Sequence, residues 1–178
     1  MSDSSLSTVS THLLEIPAFG KSPAMVIDMT NIRVAESRFL EAKVVNPSTY
    51  ADLEHTFNES YRDLKRHLSS FGYQLTLADK AIREAKANVL LGSYAEFMSG
   101  KPKSHDNADM RDAFLIKDPD YIAALDRFNQ LKALESNFEG KLKVIENVSR
   151  YVRQKMYLIS KSGVPYGNIS VTSGRKNE

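Results

Sequence analysis

Cysteine is absent from the sequence. That absence excludes a disulfide framework and a thiolate metal site, and it fits a reducing compartment best, which predicts a cytoplasmic protein. Positive charge is missing from the N-terminal stretch, where Asp3 stands and no Lys or Arg precedes Lys21. This is the wrong flank for a secretory signal. No apolar run approaches membrane-spanning length, so neither export nor membrane embedding is expected. A glycine-rich loop that could cradle phosphates is lacking as well, which leaves nucleotide hydrolysis without visible machinery.

Metal and nucleophile signals are equally thin. His12, His55, His67 and His105 show no ligand spacing with one another or with nearby acids. Asp106, Asp109, Asp112, Asp118 and Asp120 form an acidic run, but it lacks the alternating ligands and the sixth-position glycine of a calcium loop. It reads as a solvated connector. Ser104, His105 and Asp106 are consecutive, and adjacency is no evidence for a triad, which is a constellation in space. No cofactor, metal or catalytic role is expected, and the chain reads as one that binds and assembles.

What is present favours helices. At 178 residues, with 42% hydrophobic and 26% charged residues, the chain suits one folded domain plus tails. Residues 1–22, rich in Ser and Thr, read as a flexible arm, and 163–178 as a flexible C-terminal tail. Between them, 23–162 reads as one helical domain. A first helix is predicted over about 28–45, with Asp28 and Thr30 as candidate caps and Pro47 beyond its end. A second, over about 48–98, starts after Pro47 and carries two heptad columns: Phe57, Leu64, Phe71, Ala78, Ala85 and Tyr61, Leu68, Leu75, Ile82, Val89. Gly72 sits inside this run, so one continuous rod, roughly 75 Å long at 1.5 Å per residue, competes with a rod bent there. A third helix, about 118–161, begins at Asp118 and Pro119 and repeats Ala124, Leu131, Phe138, Ile145, Val152 and Ile159 at seven-residue intervals.

Two such stripes joined by a polar connector predict an all-α fold, a long antiparallel coiled-coil helical hairpin with the short first helix covering part of one side. Apolar edge left over by a two-helix seam predicts a homo-oligomer. Charge is unevenly spread: 141–161 holds Lys141, Lys143, Arg150, Arg153, Lys155 and Lys161 against the single acid Glu146. An antiparallel arrangement is expected to bring Arg62, Lys65 and Arg66 close to Arg150, Arg153 and Lys155 and so create one basic end, with Tyr61, Tyr151 and Tyr157 interleaved. Such a surface suits single-stranded nucleic acid, whose phosphates take cations and whose bases stack on aromatic rings. A solvated helix face is the plain alternative. Arg83 and Lys86 before the turn, and Lys101 and Lys103 after it, extend the candidate surface.

Over about Ala85 to Ile159 the chain resembles the UvsY-type phage recombination mediators. The likeness is carried by the helix end Tyr94-Ala95-Glu96-Phe97-Met98-Ser99-Gly100-Lys101, the helix start Asp118-Pro119-Asp120, the stretch Leu131-Lys132-Ala133-Leu134-Glu135, and Val144, Ile145, Glu146 through Arg150 and Tyr151. The resemblance implies a ring-forming, non-enzymatic mediator that holds single-stranded DNA and helps a RecA-like recombinase replace the single-strand-binding protein on it. Basic residues that can precede the family's turn fall here on Gly92 and Tyr94. DNA contact is therefore expected at Arg83, Lys86, Lys101 and Lys103, or at the basic far end.

Overall fold

The computed structural model describes residues 12–102 and 105–162. Half of the expected arm, residues 1–11, the expected tail and the candidate Lys103 lie outside the described residues.

The structure is mostly helical, as expected, with one correction: a two-stranded antiparallel sheet opens the described chain. Strand β1 (Leu13–Ile16) pairs with β2 (Met25–Asp28), Leu14 opposite Ile27 and Ile16 opposite Met25. Part of the stretch read as a flexible arm is thus strand. The reason is a two-residue alternation that the Ser/Thr-rich context obscured. Leu14 and Ile16 with Met25 and Ile27 face the core, whereas Leu13 and Val26 face out. The connecting chain folds back at Phe19 and Ser22, which exchange both backbone hydrogen bonds at 3.0 and 2.8 Å. Gly20 there takes φ +53°, the left-handed conformation that a tight hairpin turn requires.

Helix α1 runs only over Thr30–Ser37, and a 3-10 turn, Glu41–Val44, follows it. Asp28 accepts the Thr30 N–H at 2.8 Å, as its position before the helix suggested. Helix α2, Pro47–Leu91, is 45 residues long, about 67 Å. Its cap is Asn46, whose side chain accepts from the Ser48 and Thr49 amides while Thr49 Oγ1 accepts from the Asn46 amide. Gly72 lies within the unbroken helix. The interruption comes instead at Gly92, which separates α2 from α3, Ser93–Met98. A Cβ there would stand 2.8 Å from the Asn88 carbonyl oxygen, so this break needs glycine. The connector contains one more helix, α4 (Ala108–Leu115), capped by Asn107. Helix α5, Pro119–Lys161, is 43 residues long and starts at Asp118, whose side chain accepts from the Tyr121 amide at 2.8 Å.

Helices α2 and α5 pack antiparallel. Phe71 meets Phe138 edge-on, with ring centroids 5.0 Å apart, and Arg153 near the end of α5 reaches Glu54 near the start of α2 at 2.9 Å. Phe57, Leu64, Phe71 and Ala78 from one rod and Leu131, Phe138, Ile145 and Val152 from the other form the central core. The second expected column of α2 behaves differently: Tyr61, Leu68 and Leu75 are only half-buried. Full burial passes to Leu53, Ser60, His67 and Gln74, a column seven residues apart that the N-terminal hairpin and α1 cover. Three of its members are polar, and two of them, His67 and Gln74, face backbone carbonyls, whereas the Ser60 hydroxyl has no partner. His67 Nε2 lies 3.2 Å from the Asp28 carbonyl, which can only accept, so that nitrogen carries the proton. Gln74 donates to the Pro23 carbonyl at 3.2 Å, and Arg127 of α5 donates to that of Pro17 at 2.8 Å. Arg38 fastens the other end of this layer, bridging Glu41, Asp52 and Thr56.

Two outcomes follow from this packing. Phe71→Ala opens the seam where no solvent reaches it and is expected to cost about 3–5 kcal/mol, read as a lower denaturation midpoint in urea. Burial holds the His67 ring below its ordinary pKa of 6.5, and the nearby Arg66 charge adds to this against the opposing Asp28 carbonyl. The unfolded chain therefore binds this proton more tightly. Stability is fully present above about pH 7 and falls as the pH drops through the unfolded value. His67→Gln should flatten this part of the pH profile, and an unchanged profile would refute the assignment.

Candidate nucleic-acid interface

The cations singled out by sequence fall into three groups. Arg153 is held by Glu54 and by Asn58, at 3.1 Å from the latter, which fixes its level along the hairpin. Arg62, Lys65 and Arg66 lie two to three turns beyond Glu54 along α2, about 12–18 Å on at 1.5 Å per residue, level with the stretch between Lys141 and Ile145. Arg62 through Arg66 and Arg150 through Lys155 are therefore brought onto the same half of the hairpin without forming one tight cluster. Arg83 and Lys86 belong to the opposite half of α2. Lys101 follows Gly100, whose φ of +77° turns the chain, and places its ammonium over the Phe97 ring.

Most of these cations already have weak partners. Arg62 pairs with Glu59 and Arg66 with Asp63, each at 3.1 Å, and Arg83 pairs with Asp79 at 2.6 Å, all within one helix and all on exposed guanidinium groups. Exposed pairs of this kind are worth about 0–1 kcal/mol, so exchanging a carboxylate for a phosphate there costs little. Lys155 donates to the Lys43 carbonyl and is partly covered. Arg150, Lys143 and Lys86 are exposed and have no acidic partner among the described residues.

The helical repeat shows a stripe that residue-by-residue selection missed. Lys143, Arg150, Tyr157 and Lys161 recur every seven and four residues, on the face of α5 turned away from buried Ile145 and Val152. Its heptad spacing is present in the sequence, overlaid by the apolar columns of the same period. Tyr157 and Tyr151 are about half exposed. Lys161 stands 5.0 Å from the ring centroid of Tyr157, Lys155 5.7 Å from that of Tyr151, and Lys65 5.5 Å from that of Tyr61. Three lysines thus stand close to tyrosine rings.

At the turn end, Tyr94, Phe97 and Phe114 build a small aromatic centre. Tyr94 and Phe97 of α3 pack on Phe114 of α4, with centroids 5.3 and 4.9 Å apart. Asp106, the strongest member of the acidic run, is fully engaged: it accepts from Arg111 at 2.8 and 2.7 Å and from the Tyr94 hydroxyl at 2.6 Å. Arg111 first, and then the Tyr94 hydroxyl, pull its carboxyl down to about 2. Among the described residues, no three His, Asp or Glu side chains gather as a metal-ligand group. No helix among them is long and apolar enough to cross a membrane. Comparison of the chain with protein families, with curated proteins and with solved structures returned no match.

Because Asp106 holds α3 and α4 together through its charge, that contribution is present above the ordinary carboxylate value of 3.8 and is lost as the pH falls towards 2. Asp106→Asn should speed hydrogen exchange across Ala108–Leu115 while leaving the amides of α2 and α5 unchanged. Equal exchange in α4 would show that the aromatic packing alone holds the turn.

Proposed function

We propose that this protein is a single-stranded-DNA-binding recombination mediator that acts without catalysis, helping a RecA-like recombinase onto DNA covered by single-strand-binding protein. The observation that carries this reading is the stripe of exposed cations and a tyrosine along the end of α5, Lys143, Arg150, Tyr157 and Lys161, with Tyr151 and the partly covered Lys155 on the same stretch of helix. Phosphates need the cations, and unpaired bases need flat rings to stack on, a combination that tracks a strand with little regard for sequence. The resemblance of Ala85–Ile159 to the UvsY-type mediators supports the same class. A mediator of this kind needs no reaction step, since it shifts an assembly equilibrium by binding one coated state of the strand better than the other.

The α2–α5 pair is read as a coiled coil, on the strength of its heptad columns, and the assembled protein as a homo-oligomer, with a ring as the form the family resemblance suggests. The cytoplasm, that of the host cell if the gene is carried by a phage, is its proposed location. A second reading, a protein-only scaffold, draws on the exposed apolar column Val144, Tyr151 and Leu158, 45%, 47% and 59% exposed. Partner helices seek such columns.

Fluorescence anisotropy with a labelled oligodeoxythymidylate separates the two. The mediator reading expects tight, salt-sensitive binding that weakens uniformly across sequences in the pair of substitutions Lys143→Ala and Arg150→Ala, with the salt slope falling by roughly 0.7 per cation removed. Circular dichroism should remain that of the parent. Binding that is absent at low salt, with an oligomeric size indifferent to oligonucleotide, would instead leave the scaffold.

A further inference from the structure

Arg127 is a buried cation without a counter-charge. It is 5% exposed, lying between the Pro17–Pro23 turn and the two long helices. Its Nη2 donates to the Pro17 carbonyl at 2.8 Å, and its Nε, equally buried, has no partner. No carboxylate approaches the guanidinium within ion-pair distance among the described residues, and burial alone acts on it, holding its pKa below the ordinary value. Buried guanidinium groups are ordinarily matched by a carboxylate or phosphate, because desolvating the charge is costly. Here the Nε and Nη2 edge, a fork shaped for two oxygens, meets one carbonyl oxygen.

The cover over this edge is lightly fastened. Apart from the Arg127 bond, the turn is held by Gln74, which donates to the Pro23 carbonyl while its own buried Oε1 has no partner. An exposed contact of 3.5 Å joins Lys21 to Glu84. Glu84 is shared with Lys80 at 3.9 Å, so two ammonium groups stand at the rim of the turn against one carboxylate.

We infer that Arg127 is the inner ligand of a phosphate site, and that the Pro17 end of the Pro17–Pro23 turn is its displaceable cover. A phosphate group with two free oxygens replaces the Pro17 carbonyl, engages Nε and Nη2 together, and leaves Lys21 and Lys80 at the mouth. Free phosphate and the phosphodiester of a strand share this chemistry. Only the second source rests on the function proposed above.

Thermal unfolding with phosphate, against sodium chloride of equal ionic strength, tests the site first. Wild type should gain about 3 °C at a phosphate concentration near ten times the dissociation constant, and Arg127→Gln should gain nothing. Lys21→Glu, on a side chain 79% exposed and so safe for folding, should reduce the gain. A wild type that phosphate and a short oligodeoxythymidylate both fail to shift, or a shift that survives in both variants, overturns the site. Given a phosphate shift, the salt slope of oligonucleotide binding names the source. A slope lower by roughly 0.7 in Arg127→Gln means a strand phosphate, and an unchanged slope means free phosphate. Should oligonucleotide not bind at all while the phosphate shift persists, the mediator reading fails and the site stands.

Discussion

A helix of more than forty residues has no interior of its own, so α2 and α5 hide most of their apolar stripes against each other. That mutual burial is the constraint on which the rest of the molecule depends. Phe71 on Phe138 sets the register at mid-length, and the Arg153–Glu54 contact repeats the same register near one end. Side chains of period 3.6 then decide by position alone which residues are enclosed and which face water. Lys143 and Arg150 point outward because Ile145 and Val152 point in.

Two rods still leave a groove on each side, and this chain fills one of them with its own N-terminal residues. Filling a groove with a β-hairpin brings main-chain carbonyls against helix faces, and buried carbonyls need donors. His67, Gln74 and Arg127 supply them, at Asp28, Pro23 and Pro17. The layer is therefore held by polar side chains inside an otherwise apolar column. It is also imperfectly satisfied, since Ser60 Oγ, Gln74 Oε1 and Arg127 Nε remain without partners. The N-terminal layer is thus a less settled part of the core than the seam beneath it.

The long elements were legible in the sequence because their periodicity is sustained over many turns. The start of α5 at Asp118–Pro119 and the column from Ala124 to Val152 were read residue by residue, and so was the column from Phe57 to Ala85. The hairpin was not, because strands of four residues offer only two inward positions each, and the surrounding Ser and Thr suggested an arm. The second column of α2 holds in part, with Val89 buried and Tyr61, Leu68 and Leu75 packed half-buried on the core, whereas the deeper Ser60, His67 and Gln74 do not look apolar. Gly72 and Gly92 were indistinguishable by residue type, and the break follows from the backbone geometry at Gly92. The basic character of the end of α5 was evident from composition. The level of Arg62–Arg66 relative to Arg150–Lys155 was not, because register depends on pairwise packing that no single helix encodes.

One consequence concerns the order in which the chain is made. Pro17 finds its donor 110 positions later, at Arg127, and Glu36 finds Lys141 at a separation of 105. Translation at about 5–20 residues per second makes that wait on the order of ten seconds. Throughout the interval α2 can coil, yet its enclosing rod has not emerged and the leading segment has no settled seat. The turn at Pro17 is thus among the last parts to come to rest, and until then the polar column of α2 stays open to water and to whatever else is near the ribosome.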